Sequence, residues 1–228
     1  MTLVLIPGLD GTGEFFKPFL DIYGRDRAEV ISLPQAGPQD YAALTEYVAQ
    51  QLPVNRDYVL LAESFGGPIG ANLALRGLPR LKGVVFVATF LSPPAWWATT
   101  LGLMLPLKKT VPTRLGRMIL RWLLAGSLAS DRTMDWVQQV VGGVPADIIK
   151  ARIRAIRRLR PQQGRTDVPA LYIQSTQDSL IAAAKFRQFG AHFSDLKLFK
   201  IEGPHLILPS RPGDCARTIR RLFPTLQG

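Results

Sequence analysis

Short, largely apolar runs recur along the chain at residues 3–6, 30–33, 58–62, 84–88, 170–173 and 196–201, most of them rich in Val, Ile and Leu. Because they do not alternate strictly with polar residues, they predict strands covered on both faces. Between the early runs lie segments whose apolar residues repeat at helical spacing, as Leu44, Val48 and Leu52 do. Strand and helix in alternation predict an α/β chain with a doubly wound, mostly parallel sheet, whose ligands gather beyond the carboxyl ends of the strands.

The alternation stops over residues 93–165, where strand-like runs give way to helical segments separated by Pro and Gly. Leu115, Ile119, Trp122 and Leu123 fall on one predicted helical face, and so do Trp136, Val137, Val140 and Val141. A third segment, residues 148–159, sets Ile149, Ile153 and Ile156 on one side. Lys150, Arg152, Arg154, Arg157, Arg158 and Arg160 supply most of the other. The expected plan is a core of residues 1–92 and 166–228 with a helical cap inserted at 93–165.

Composition narrows the class. With 228 residues and 47% hydrophobic content the chain can bury one substantial core. The formal net charge of +11 suits nucleic acid, anionic lipid or an acidic protein. No recognition motif accompanies the charge, so nucleic acid is set aside. Cys215 is the single cysteine and reads as a packing residue; with only two histidines, neither a disulfide nor a Cys/His zinc spacing can be written. The first basic residue is Lys17, which leaves no basic start for a secretory signal. No apolar stretch approaches the roughly 20 residues that cross a bilayer. A cytoplasmic chain without a transmembrane segment is the expectation.

The chemistry starts at Tyr58-Val-Leu-Leu-Ala-Glu-Ser-Phe-Gly-Gly67, where an apolar run ends at a serine enclosed by Ala62 and Gly66. Such a strand–turn–helix predicts a nucleophile elbow, in which only small residues fit two positions before and after the serine. A serine nucleophile needs a base, a group that orients the base, and donors for the oxyanion. His205 follows the last predicted strand in a Gly-Pro loop, and Asp178 follows the strand before it. Both fall on the edge where Ser64 emerges. His192, inside Phe189-Gly-Ala-His-Phe193, reads instead as a surface or helix-end residue.

With nucleophile, acid and histidine in that order, the chain resembles the α/β-hydrolase fold family over nearly its whole core. Leu5-Ile-Pro-Gly-Leu-Asp-Gly11 resembles the family's His-Gly oxyanion loop, with Pro7 in place of histidine. The resemblance assigns the oxyanion donors to the backbone N–H groups of Phe65 and of Leu9, or of Asp10 one residue on. It also implies a sheet reduced at one edge, since the family's usual first hairpin has no counterpart before residue 3. Some members carry the acid after the strand that follows the elbow helix; residues 84–93 contain no Asp or Glu, which favours Asp178.

The glycine loop also invites a phosphate-binding reading, but it lacks the Gly-Lys-Ser/Thr ending and the G-x-G-x-x-G spacing. The resemblance implies a serine hydrolase that cleaves a carboxylic ester through an acyl-enzyme, with no metal or organic cofactor. The alternative is a thioesterase or acyltransferase working on coenzyme A- or carrier-protein-linked acyl groups docked on the basic cap. Trp96, Trp97, Leu101, Leu103 and Met104 either line an acyl pocket or pack the cap. Arg154 and Arg157 either form a solvated face or hold an acidic carrier protein, a coenzyme A phosphate or an anionic lipid surface.

Overall fold

The structure, a computed structural model, describes residues 1–94, 96–160 and 162–227. Its centre is a six-stranded sheet, ordered β2-β1-β3-β4-β5-β6, in which every neighbouring pair runs parallel. The strands are β1 (Thr2–Ile6), β2 (Ala28–Val30), β3 (Tyr58–Glu63), β4 (Leu81–Val87), β5 (Ala170–Ser175) and β6 (Leu196–Ile201). Five of the six apolar runs fall on these strands.

The run at 30–33 is displaced, because β2 occupies Ala28–Val30 and overlaps it at one residue. Ile31 N–H still reaches the Leu5 carbonyl (3.0 Å), but Leu33 N–H goes to the Gly11 carbonyl (2.7 Å), so the chain has already left the sheet for the glycine loop. Hydrogen bonding to that loop outcompetes the strand that Leu33 would otherwise extend.

Opposite faces of each inner strand feed two cores. Leu3, Leu5, Val59, Leu61, Val85 and Ile173 pack against α1 (Lys17–Tyr23) and, near the C-terminus, helices at Ile207–Ser210 and Pro212–Leu222. Cys215 is fully buried in this layer. Val4, Ile6, Leu60, Ala62 and Phe86 pack against α2 (Tyr41–Ala49) and α3 (Gly67–Leu75). The Leu44, Val48 and Leu52 stripe is buried here as its spacing implies. Period-two side-chain alternation, with both faces apolar, yields the doubly wound arrangement.

β6 departs from the expectation of strands covered on both faces. It is an edge strand, and Leu198 (38%) and Phe199 (41%) are exposed. All four middle residues of the strand, 197–200, are exposed, and Lys197 and Lys200 flank the apolar pair in the manner that discourages further strand pairing.

Between β4 and β5 the described residues form α4 (Trp96–Met104), α5 (Leu107–Thr110), α6 (Arg114–Leu120), α7 (Asp131–Gly143) and α8 (Ala146–Arg157). A π-helical turn at Arg121–Ala125 extends α6 and shifts its phase. Leu115 and Trp122, expected on the inner face with Ile119 and Leu123, are more than half exposed, because the inward face runs through Gly116, Ile119, Leu120 and Leu123. The amphipathic reading of α7 holds at Val137 and Val140, which are buried. Among the described residues no helix is long and apolar enough to cross a membrane. The two C-terminal helices are α9 and α10 in chain order.

Candidate active site

β3 is buried throughout and stops at Ser64, whose φ of 47° lies in the left-handed region that non-glycine residues seldom occupy. A 3-10 turn, Ser64–Gly66, leads directly into α3. Gly66 is needed because a Cβ there would lie 2.8 Å from the carbonyl oxygens of both Ile6 and Pro7. Ala62, where a glycine is usual, is tolerated because it faces Gly70, at which an added Cβ would come within 2.6 Å of the Ala62 methyl. Thr89 Oγ1 donates to the Ser64 carbonyl and holds the turn from β4's end.

The loops after β5 and β6 bring the other two predicted residues to this turn. His205 Nε2 lies 2.9 Å from Ser64 Oγ, and Nδ1 lies 2.7 Å from Asp178 Oδ2. The second carboxylate oxygen, Oδ1, accepts from Leu180 N–H (2.8 Å) and Ile181 N–H (2.9 Å), so Asp178 is also a turn residue and cannot swing away. Ser175 Oγ donates to the Pro204 carbonyl at 2.7 Å, pinning the His205 loop to the end of β5. Burial alone would lower the His205 pKa, but the Asp178 carboxylate and, more weakly, Glu63 outweigh it and hold the value above 6.5.

Leu9 and Phe65 line the same cavity as Ser64 and His205. The cavity is about 220 Å³ and is walled by Leu101, Leu105, Ile119, Leu123, Ile149 and Ile153 from the inserted helices. Trp96 and Trp97 are not among the lining residues. Trp96 is 77% exposed and Trp97 packs against Trp122 with ring centroids 5.2 Å apart. The phase of α4 turns Ala98, Leu101 and Leu105 inward in their place. Arg154 and Arg157 are exposed on the face of α8 opposite Ile149, Ile153 and Ile156, away from Ser64. His192 is bonded through Nδ1 to the Gly164 carbonyl at 2.9 Å, outside the site.

Two residues at the site were not singled out by pattern. Arg152, expected among the solvated cations of α8, is fully buried. Its Nε donates to Gln39 Oε1 (2.9 Å), Nη1 to the Leu9 carbonyl (2.8 Å) and Nη2 to the Pro34 carbonyl (2.9 Å). The guanidinium lies against Gly11, where any Cβ would collide with it. A signal existed: its neighbours at helical spacing are Ile148, Ile149, Ala155 and Ile156, all apolar. Glu63, immediately before the serine, is also buried, and its Oε1 has no hydrogen-bond partner among the described residues. Burial, and then the nearby Asp10 charge, push its pKa up to about 8. Among the described residues no three His, Cys, Asp or Glu side chains gather closely enough to hold a metal ion.

A family model described as serine aminopeptidase, S33, matches residues 31–204, the span that holds the elbow, Asp178 and the last strand. The chain belongs to the S33 family. It is therefore an α/β-hydrolase enzyme. Solved structures agree with the S33 chain in fold. A thermophilic esterase superposes with a TM-score of 0.79 at 15% identity, covering 99% of this chain and 90% of its own. The enol-lactonase of Burkholderia xenovorans gives 0.75 at 19% identity, covering 97% and 90%. The RedJ thioesterase of Streptomyces coelicolor gives 0.70 at 20% identity, covering 97% and 84%. Comparison with curated proteins finds no match to the S33 chain.

Proposed function

We propose that this S33 hydrolase cleaves carboxylic esters with an apolar acyl group, through an acyl-enzyme on Ser64. The observation that carries the reading is the unbroken relay Asp178–His205–Ser64 at the wall of a cavity lined mainly by aliphatic side chains. His205 Nε2 takes the Ser64 proton as Oγ attacks the ester carbonyl, and Asp178 accepts from Nδ1–H, fixing the tautomer and balancing the imidazolium. The N–H groups of Leu9 and Phe65 hold the oxyanion, each worth roughly 3 kcal/mol of barrier lowering. Collapse of the tetrahedral intermediate expels the alcohol, which takes the proton from His205. Water then attacks the acyl-enzyme with His205 again as base and releases the acid. The helices between β4 and β5 serve as a cap whose inner face selects the acyl group.

A second reading, thioester cleavage or acyl transfer from coenzyme A or an acidic carrier protein, is supported by the exposed cations Arg154, Arg157 and Arg158 on the cap's outer face. A phosphate or carboxylate would find charge-assisted donors there.

The test is labelling by a fluorophosphonate probe, expected for the wild type and lost in Ser64→Ala, followed by turnover of four substrate sets. These are p-nitrophenyl esters of increasing chain length, coenzyme A thioesters, carrier-bound thioesters and aminoacyl p-nitroanilides. Preference for the esters supports the reading. Preference for thioesters, together with their selective loss in Arg154→Glu/Arg157→Glu, supports the second. Turnover confined to the anilides overturns both.

A further inference from the structure

The helices that wall the cavity are apolar on their outer side as well. α4 exposes Trp96 (77%) and Met104 (78%), while α6 and its extension expose Leu115 (54%), Met118 (63%) and Trp122 (57%) at helical spacing. Contact between Trp97 and Trp122 joins the two groups, and Leu128 stands 94% exposed just beyond. A helix apolar all round belongs in a core or against a second apolar phase, and this surface has neither.

Beside the patch Asp131 and Asp135 are engaged by Arg117 and Arg121, and the charges without an ion pair among the described residues are cationic. The chain carries no Asp or Glu between Glu63 and Asp131. Arg117 and Arg121 turn back to Asp131 on α7, but Lys108, Lys109 and Arg114 are exposed and form no ion pair among the described residues. A second copy of the chain would bring these cations against their own kind.

We propose that the outer face of α4, α5 and α6 docks on an anionic lipid bilayer. Trp side chains settle at the boundary between water and lipid, the Met and Leu side chains enter the acyl region, and Lys and Arg meet the headgroup phosphates. This surface is separate from the outer cations of α8 and lies on the face of the cap that is both basic and apolar. This docking goes beyond the proposed reaction and is read without turnover.

The experiment is co-sedimentation of the full chain with vesicles of phosphatidylcholine alone or mixed with phosphatidylglycerol. Binding to the anionic vesicles only, weakening as salt is added, is the expected result. Lys108→Glu with Lys109→Glu should weaken it by at least about tenfold, given the contribution of each cation near a charged surface. Leu115→Asp with Met118→Asp should weaken it comparably, because it removes the apolar anchor, and neither pair should change the unfolding midpoint. Failure to bind, equal binding to both vesicle types, or variants that bind like wild type would overturn the proposal. So would a concentration-dependent dimer that Leu115→Asp dissolves, since the occupant would then be a second copy.

Discussion

Replacing Arg152 by Met keeps an unbranched stem as far as the position of Nε and removes every donor that Arg152 offers to Gln39, Leu9 and Pro34. Two opposing effects set the stability change. Each buried acceptor left without its partner costs about 1–3 kcal/mol. Against this, the buried guanidinium is itself expensive: desolvation, partly offset by Asp10, pushes its pKa down from 12.5 to about 10, or about 3 kcal/mol disfavouring the charge. The difference is a net loss of about 3 kcal/mol, the order found when buried charge networks are broken. The kinetic effect has another origin. Arg152 is a positioning residue: it holds the Leu9 carbonyl, and Leu9 N–H is the proposed oxyanion donor on the same residue. Deleting such a donor costs about 10²–10³ in kcat, and displacing it should cost about 10- to 100-fold with KM changed little. The assay is steady-state turnover of a short p-nitrophenyl ester well below the variant's unfolding midpoint, normalised to sites counted by fluorophosphonate. Arg152→Lys, which can still reach one carbonyl, should recover part of the loss. An unchanged kcat in a destabilised Met variant, or a loss confined to KM, would refute a positioning role and leave Arg152 a structural bolt.

Glu63 supplies a pH-dependent stability test. With its folded pKa raised from 4.5 to about 8, the folded state holds a proton that the unfolded state releases, so stability falls as pH rises through that window. The ceiling is about 5 kcal/mol for the full shift. Urea unfolding at pH 5 and pH 9 should show a steeper loss for wild type than for Glu63→Gln, and parallel profiles would sink the argument. For the reaction, a protonated His205 cannot act as base, so the acid limb of the kcat/KM profile should lie above pH 6.5, the side to which Asp178 shifts the imidazole. Asp178→Asn should lower kcat by on the order of 10³–10⁴ and move the limb of the residual activity to lower pH. A limb that stays where it was would mean that Asp178 does not set the His205 pKa.

Much of the architecture was legible because burial on both faces of a strand leaves an unmistakable run of Val, Ile and Leu. The linear order of Ser64, Asp178 and His205 was legible too, since each ends or follows such a run and parallel strands bring those ends to one edge. The length of the strand at 30–33 was not, because Leu33 spends its N–H on the glycine loop, a partner distant in sequence. The inward face of α6 was misplaced for a different reason: the segment is apolar on several sides, so spacing alone does not choose between the side of Leu115 and Trp122 and the side of Gly116, Ile119 and Leu120 that packing turned inward.

The sequence by itself determined the sheet, the elbow and the chemical types that meet there, since those follow from local periodicity and from sterics within a few residues. Only the tertiary structure decided which faces are covered. It buried Arg152 beneath the glycine loop, buried Glu63 beside Ser64 with its Oε1 unpartnered among the described residues, and turned Trp96 outward while smaller residues of α4 lined the cavity. A helix pattern tells which residues share a side; what that side meets is fixed by packing between segments far apart in the chain, and the charge of a buried group is then set by what it meets.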